Sequence, residues 1–158
     1  MAKSRSNASD PFAAALRLLS RCDRSEAELR DKLARFGFSV AEIDQAVARC
    51  HEFHYLDDRR YALERSRALL RSGRGVGRKI LLDLRRRGID DETAAWALAE
   101  AGGEFPTDQM VRELLERRFP GFSYPQADDR EKRRVIGFFQ RRGFSLEQIF
   151  RMLKGAEE

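Results

Sequence analysis

One pattern, written three times, constrains this chain more than anything else in it. Aligned on Gly37, Gly88 and Gly143, apolar residues stand eight and four positions before the glycine and one position after it, and a helix-capping side chain follows two positions after it. The copies read Leu29, Leu33, Gly37, Phe38, Ser39, then Ile80, Leu84, Gly88, Ile89, Asp90, then Val135, Phe139, Gly143, Phe144, Ser145. Side chains four apart share one face of a helix. A glycine just past the last turn takes the left-handed conformation that ends a helix cheaply, and Ser or Asp two residues later caps the next one. The unit is a helix, a tight turn and a second helix. Its spacings of 51 and 55 residues mark an internal repeat, in which each unit buries its apolar face against its neighbours.

The helices after each glycine carry their own apolar pairs, Ile43 with Val47, Ala94 with Leu98, and Ile149 with Leu153. A further helix precedes each pattern. Asp10-Pro11 opens the first, with Phe12, Leu16 and Leu19 as its apolar stripe up to Cys22, Pro being suited to a first helical turn. Ser25 with Glu28, and Ser39 with Glu42, have the spacing of capping boxes. Asp57-Asp58 opens the second module's first helix, whose inward side holds Tyr61, Ala62, Leu69 and also Arg65. A buried, unpaired guanidinium is costly, so Arg65 should meet an acid. Helix two of that module should span about 76–87, Gly102-Gly103 should be a hinge, and a longer loop with Phe122 and Tyr124 should interrupt the third module. The expected fold is all-α, an elongated array of three tandem three-helix repeats. A disordered tail covers 1–10, repeat one 11–55, repeat two 56–102 and repeat three 103–158.

Charge singles out the middle repeat. Residues 57–87 hold eleven Lys/Arg against four Asp/Glu, while 88–101 hold four acids and no base. On a helical wheel Ile80, Leu81 and Leu84 face inward, Arg78, Lys79 and Arg86 face outward, and Arg85 and Arg87 flank them. Arg59, Arg60, Arg67, Arg71 and Arg74 add charge from the preceding helix and loop. Asp83 is the only acid of the helix, so this face is the candidate surface for an anionic partner. Leu82 also points outward, and an exposed Leu among arginines suits contact with protein.

Other chemistries are poorly served. Gly73-Arg74-Gly75-Val76-Gly77-Arg78-Lys79 follows a helix and lacks the spacing of a phosphate loop. A helix break, or a loop whose N–H groups approach phosphate, suits it better. Cys50, His51 and His54 could offer metal ligands, but a closed zinc site needs four. Cys50 as core, with the histidines over a module junction, is the simpler reading. The carboxylates lie where helix N-termini want them, and no catalytic constellation stands out, so neither enzyme nor cofactor is expected. The N-terminus lacks the apolar run of a signal peptide, no stretch approaches a membrane span, and two widely spaced cysteines suit a reducing, cytoplasmic setting.

Several stretches together resemble the bacterial RecX regulators. These are Arg24-Ser25-Glu26-Ala27-Glu28-Leu29 with Leu33, then Leu56 to Ala62, Arg67 with the Gly73-Arg74-Gly75 turn, Ile80 to Ile89, and Phe138 to Ser145 with Gln148-Ile149. The resemblance runs from about Phe12 to Lys154. It implies three-helix repeats that bind the RecA recombinase filament, near its single-stranded DNA, and inhibit it without a cofactor. DNA recombination, repair and the SOS response are the implied setting, and a monomer the implied state. A helical-repeat DNA-binding module with no protein target remains the alternative from the residues alone.

Overall fold

The computed structural model describes residues 10–155, so the expected N-terminal tail lies almost wholly outside the described residues. Within them the chain forms nine helices and no strand. The first module consists of α1 (Pro11–Arg21), α2 (Glu26–Arg35) and α3 (Val40–Glu52). The second contains α4 (Asp58–Ser72), α5 (Arg78–Arg86) and α6 (Asp91–Gly102), and the third α7 (Thr107–Arg118), α8 (Asp129–Arg141) and α9 (Leu146–Gly155).

The helix starts follow from their caps. Ser25, Ser39 and Asp128 form complete capping boxes with Glu28, Glu42 and Glu131, and Ser145 exchanges both bonds with Gln148. Asp10, Asp57 and Asp90 cap α1, α4 and α6. The three repeat glycines end α2, α5 and α8 in one and the same way. Their φ values are 91°, 81° and 101°. Each glycine N–H donates to the carbonyl three residues back, at 3.0 Å in all three copies, and the next N–H reaches five residues back, Phe38 to Leu33, Ile89 to Leu84 and Phe144 to Phe139. This 6→1 and 5→2 pair satisfies carbonyls that a helix end leaves open.

Burial confirms the inward positions. Leu29, Leu33, Ile80, Leu84, Val135 and Phe139 are at most 1% exposed. In α1 the buried face is different from the expected stripe. Ala14, Ala15 and Leu18 are buried while Leu16 is only half-buried, because the two alanines let α1 come close to α3. α5 is shorter than 76–87, since Val76 and Gly77 form a separate bend with Gly77 at φ 47°.

The cores do not divide in three. The first module has its own cluster, including Leu29, Leu33, Ile43, Val47, Cys50 and Leu56. The second and third share another, running from Tyr61 and Leu70 through Ile80 and Leu84 to Val111, Leu114, Phe139 and Ile149. Gly102-Gly103 is therefore no hinge between separate bodies. Gly102 ends α6 and Gly103 keeps a right-handed helical φ of −66°. The loop before α8 packs inward, with Phe119 edge-on to Phe138 (5.1 Å) and Tyr124 edge-on to Phe150 (6.4 Å).

Candidate nucleic-acid interface

Two joints position the surface. At the first, the α2 N-terminus meets the end of α5. Ser25 Oγ donates to the carbonyl of Arg87, Arg87 reaches Glu28, and a Cβ on Gly88 would lie 2.2 Å from that of Ala27. Asp58 accepts from the N–H of Glu26 at 2.8 Å. Asp58's partial burial raises its carboxyl above the ordinary value. Glu26 also accepts from His51, whose hydrogen bond holds the Glu26 carboxyl below its ordinary value. Cys50 lies wholly in the core. Thus the Arg24 to Leu29 stretch and Asp58, which carry much of the resemblance, build a joint.

At the second joint the α5 start meets the end of α8. Val76 N–H donates to the carbonyl of Arg142 at 2.8 Å, and a Cβ on Gly143 would lie 2.1 Å from the Val76 carbonyl and 3.0 Å from Lys79 Cβ. In both joints a repeat glycine seats on the opening of the preceding module's second helix. Gly37, in the first module, has nothing within 4 Å of such a Cβ among the described residues. The loop's N–H groups are committed too. Gly73, Arg74 and Gly75 donate to Leu70 and Leu69, so the loop does not present a run of free amides to phosphate.

The basic segment of the middle module separates into groups with different work. Arg65 makes a two-pronged pair with Asp83, both bonds 2.9 Å, and Arg87 joins the same carboxylate at 3.1 Å while donating to Tyr61. Burial raises the Tyr61 hydroxyl to about 12. Arg67 is held by Glu104 and Glu64, and Arg85 by Asp91 at 3.0 Å. Arg59 lies over Trp96, 3.9 Å from the ring centroid. That leaves Arg60, Arg71, Arg74, Arg78, Lys79 and Arg86 exposed with no carboxylate within 4 Å among the described residues. Leu82, 38% exposed, stands on α5.

Of a second group, sequence reasoning named only Arg74 and passed over the rest. Arg74, Arg117, Arg118 and Arg142 line one open cleft beside the second joint, with Ser72 and Leu114. Arg117 and Arg118 stand in the last turn of α7, and Arg142 caps α8. Basic residues in a last turn are so common a match to the helix dipole that pattern alone gave them no special weight. An aromatic surface on module one was also missed. The Phe53 ring centroid lies 6.2 Å from that of Phe12 and 6.0 Å from that of Tyr55, and Arg49 lies 3.9 Å over Phe12. Phe53 and Tyr55 are about half exposed. Among the described residues, no helix is long and apolar enough to cross a membrane.

Comparison with known proteins gives these surfaces a context. Residues 12–50 match the family model for the first three-helix domain of RecX, and residues 107–153 that for the third. A regulatory protein RecX of Syntrophotalea carbinolica is 43% identical over 141 residues, covering 89% of this chain and 92% of that protein. One of Trichlorobacter lovleyi is 40% identical over the same shares. The crystal structure of RecX from Lactobacillus salivarius has the same fold, with a TM-score of 0.73 at 23% identity, covering 93% of this chain and 94% of that one.

Proposed function

This chain belongs to the RecX family of regulatory proteins, and from that premise we propose that it binds the RecA recombinase filament and inhibits its ATPase and strand-exchange activities. In this reading it is a non-enzymatic cytoplasmic monomer that acts in DNA recombination, repair and the SOS response. The observation that supports it most is the pairing of a three-module array with an unpaired basic surface on its middle module, comprising Arg60, Arg71, Arg74, Arg78, Lys79 and Arg86. An array can touch several filament subunits at once, and linked weak contacts gain from effective concentration. The basic middle then lies nearest the filament's DNA, while exposed apolar groups such as Leu82, Phe53 and Tyr55 meet protein. Inhibition requires all modules on one chain.

The test is a pull-down with RecA, with and without single-stranded DNA, beside RecA's DNA-dependent ATPase and strand exchange under titration. Capture of RecA and loss of both activities are expected. Retention of both activities at saturating protein refutes the reading. The unpaired basic groups also favour a second reading, a single-stranded DNA-binding module without a protein target. Salt separates the two: DNA binding alone weakens steeply between 50 and 200 mM salt, whereas filament binding with apolar contacts persists.

A further inference from the structure

Arg74, Arg117, Arg118 and Arg142 come from three different helix ends, those of α4, α7 and α8, and meet in a cleft of ≈ 470 Å³ whose lining contains no carboxylate. None of the four has an acid within 4 Å among the described residues. A plain account would have them neutralise the negative ends of the converging helices. Their hydrogen bonds argue otherwise, since among the described residues no guanidinium of the four donates to a terminal carbonyl, and the Nε–H of the partly buried Arg142 has no acceptor. Gathering like charges without partners is unfavourable unless an anion completes the set.

The cleft is also held in shape before anything enters it. The Val76 to Arg142 hydrogen bond ties its two sides together, and left-handed Gly73 packs on Leu114 at its floor, where an added Cβ would lie 3.0 Å away. The guanidinium of Arg142 rests on the Phe138 ring, 3.6 Å from its centroid, which fixes its plane at the edge of the cleft. Burial, together with Arg118, Arg141 and Arg117, lowers the Arg142 pKa, the direction an arriving anion would reverse.

We propose that this cleft is a phosphate site that holds the backbone of a single nucleic-acid strand at the joint of the second and third modules. Planar forks match phosphate oxygens two at a time, and several forks from different helices suit a tetrahedral group approached from several sides. Leu114 is the only apolar side chain in the lining, so the cleft offers a peptide no side-chain pocket, and an acidic peptide is the less suited occupant. Three of the four arginines fall outside the basic segment 57–87, so the site extends the anionic surface into the third module. It concerns the free protein and DNA, and stands or falls independently of RecA.

The experiment measures fluorescence anisotropy of a labelled oligo-dT across a salt series, with no RecA present. R117Q/R118Q removes two exposed arginines of the cleft, and R17Q/R21Q removes the same charge from the exposed side of α1. Melting curves on both variants verify the fold. The cleft variant should bind roughly tenfold or more weakly at low salt, and the slope of log K against log salt should fall by about 0.7 for each phosphate that is no longer neutralised. The α1 variant should stay within about twofold. Equal weakening in both variants would show that only net charge matters and overturn the site. So would competition by poly-glutamate as strong as by unlabelled oligo-dT, or binding of dTMP or inorganic phosphate as tight as that of the strand.

Discussion

Replacing each repeat glycine by alanine separates two reasons for glycine that usually arrive together. At Gly37, φ is 91° and an added Cβ meets nothing within 4 Å. G37A therefore costs only the left-handed penalty, about 1–2 kcal/mol. At Gly143 the same penalty applies at φ 101°, and the new Cβ lies 2.1 Å from the Val76 carbonyl. Ordinary packing needs at least about 1.3 Å more, and opening that gap breaks the 2.8 Å bond from the buried Val76 N–H to the Arg142 carbonyl. Leaving such a donor unsatisfied costs about 1–3 kcal/mol, so G143A should cost roughly 2–5 kcal/mol in all. G88A should fall between, because the 2.2 Å approach to Ala27 Cβ can be relieved by shifting the polar joint. At about 2–4 °C per kcal/mol for a chain of this size, G37A lowers Tm by about 4 °C and G143A by roughly 10 °C. Urea unfolding followed by far-UV ellipticity measures all three. Equal destabilisation would show that glycine serves only the turn, and that the close seating of one module on the next contributes nothing.

Charge reversal at Arg78, Lys79 and Arg86 to Glu should keep helical content while weakening binding to oligo-dT or to the RecA filament, with a flatter salt slope; unchanged binding would move the contact surface elsewhere. Burial opposes ionisation of Asp83, but Arg65 and Arg87 outweigh it and hold the carboxyl below its ordinary 3.8. Its stabilisation is thus present above pH 3.8 and lost as pH falls through the lower folded value. Asp83→Asn should remove that part of the acid slope in urea titrations from pH 5 to 2, and an unaltered slope would refute the assignment. Cleaving between Gly102 and Gly103 divides a shared core, so fragment 103–158 should lack cooperative unfolding, whereas 57–158 should keep it. A sharp two-state transition in 103–158 would contradict the shared core.

The elements whose cause is local could be read from the chain. Gly37, Gly88 and Gly143 with their apolar neighbours depend on φ, spacing and capping, all of which a sequence displays. Arg65 could be assigned an acid because a buried guanidinium demands one, and Asp83 supplies it. What escaped depends on which helices meet. That Gly88 seats on Ala27 and Gly143 on Val76 follows from close approach between modules, and nothing in either residue's own helix signals it. The candidate basic surface was thinned by the same long-range pairing. Arg67 is occupied by Glu104, far along the chain, whereas Arg85 is taken more locally by Asp91, six residues on. Arg117, Arg118 and Arg142 joined Arg74 in one group only when three helix ends came together.

The two joints share a geometry but differ in what fills them. The first is bridged by polar atoms, Ser25 to Arg87, Glu26 to Asp58 and Arg87 to Glu28, with separate apolar clusters on its two sides. The second lies within one continuous cluster. Water can replace polar bridges one by one as they bend, but a packed apolar core resists any change of shape. Mechanically the protein is then a stiff two-module arm with a forearm on an elbow. Under load the joint at Ser25 and Arg87 should yield first, while the second and third modules keep their mutual arrangement.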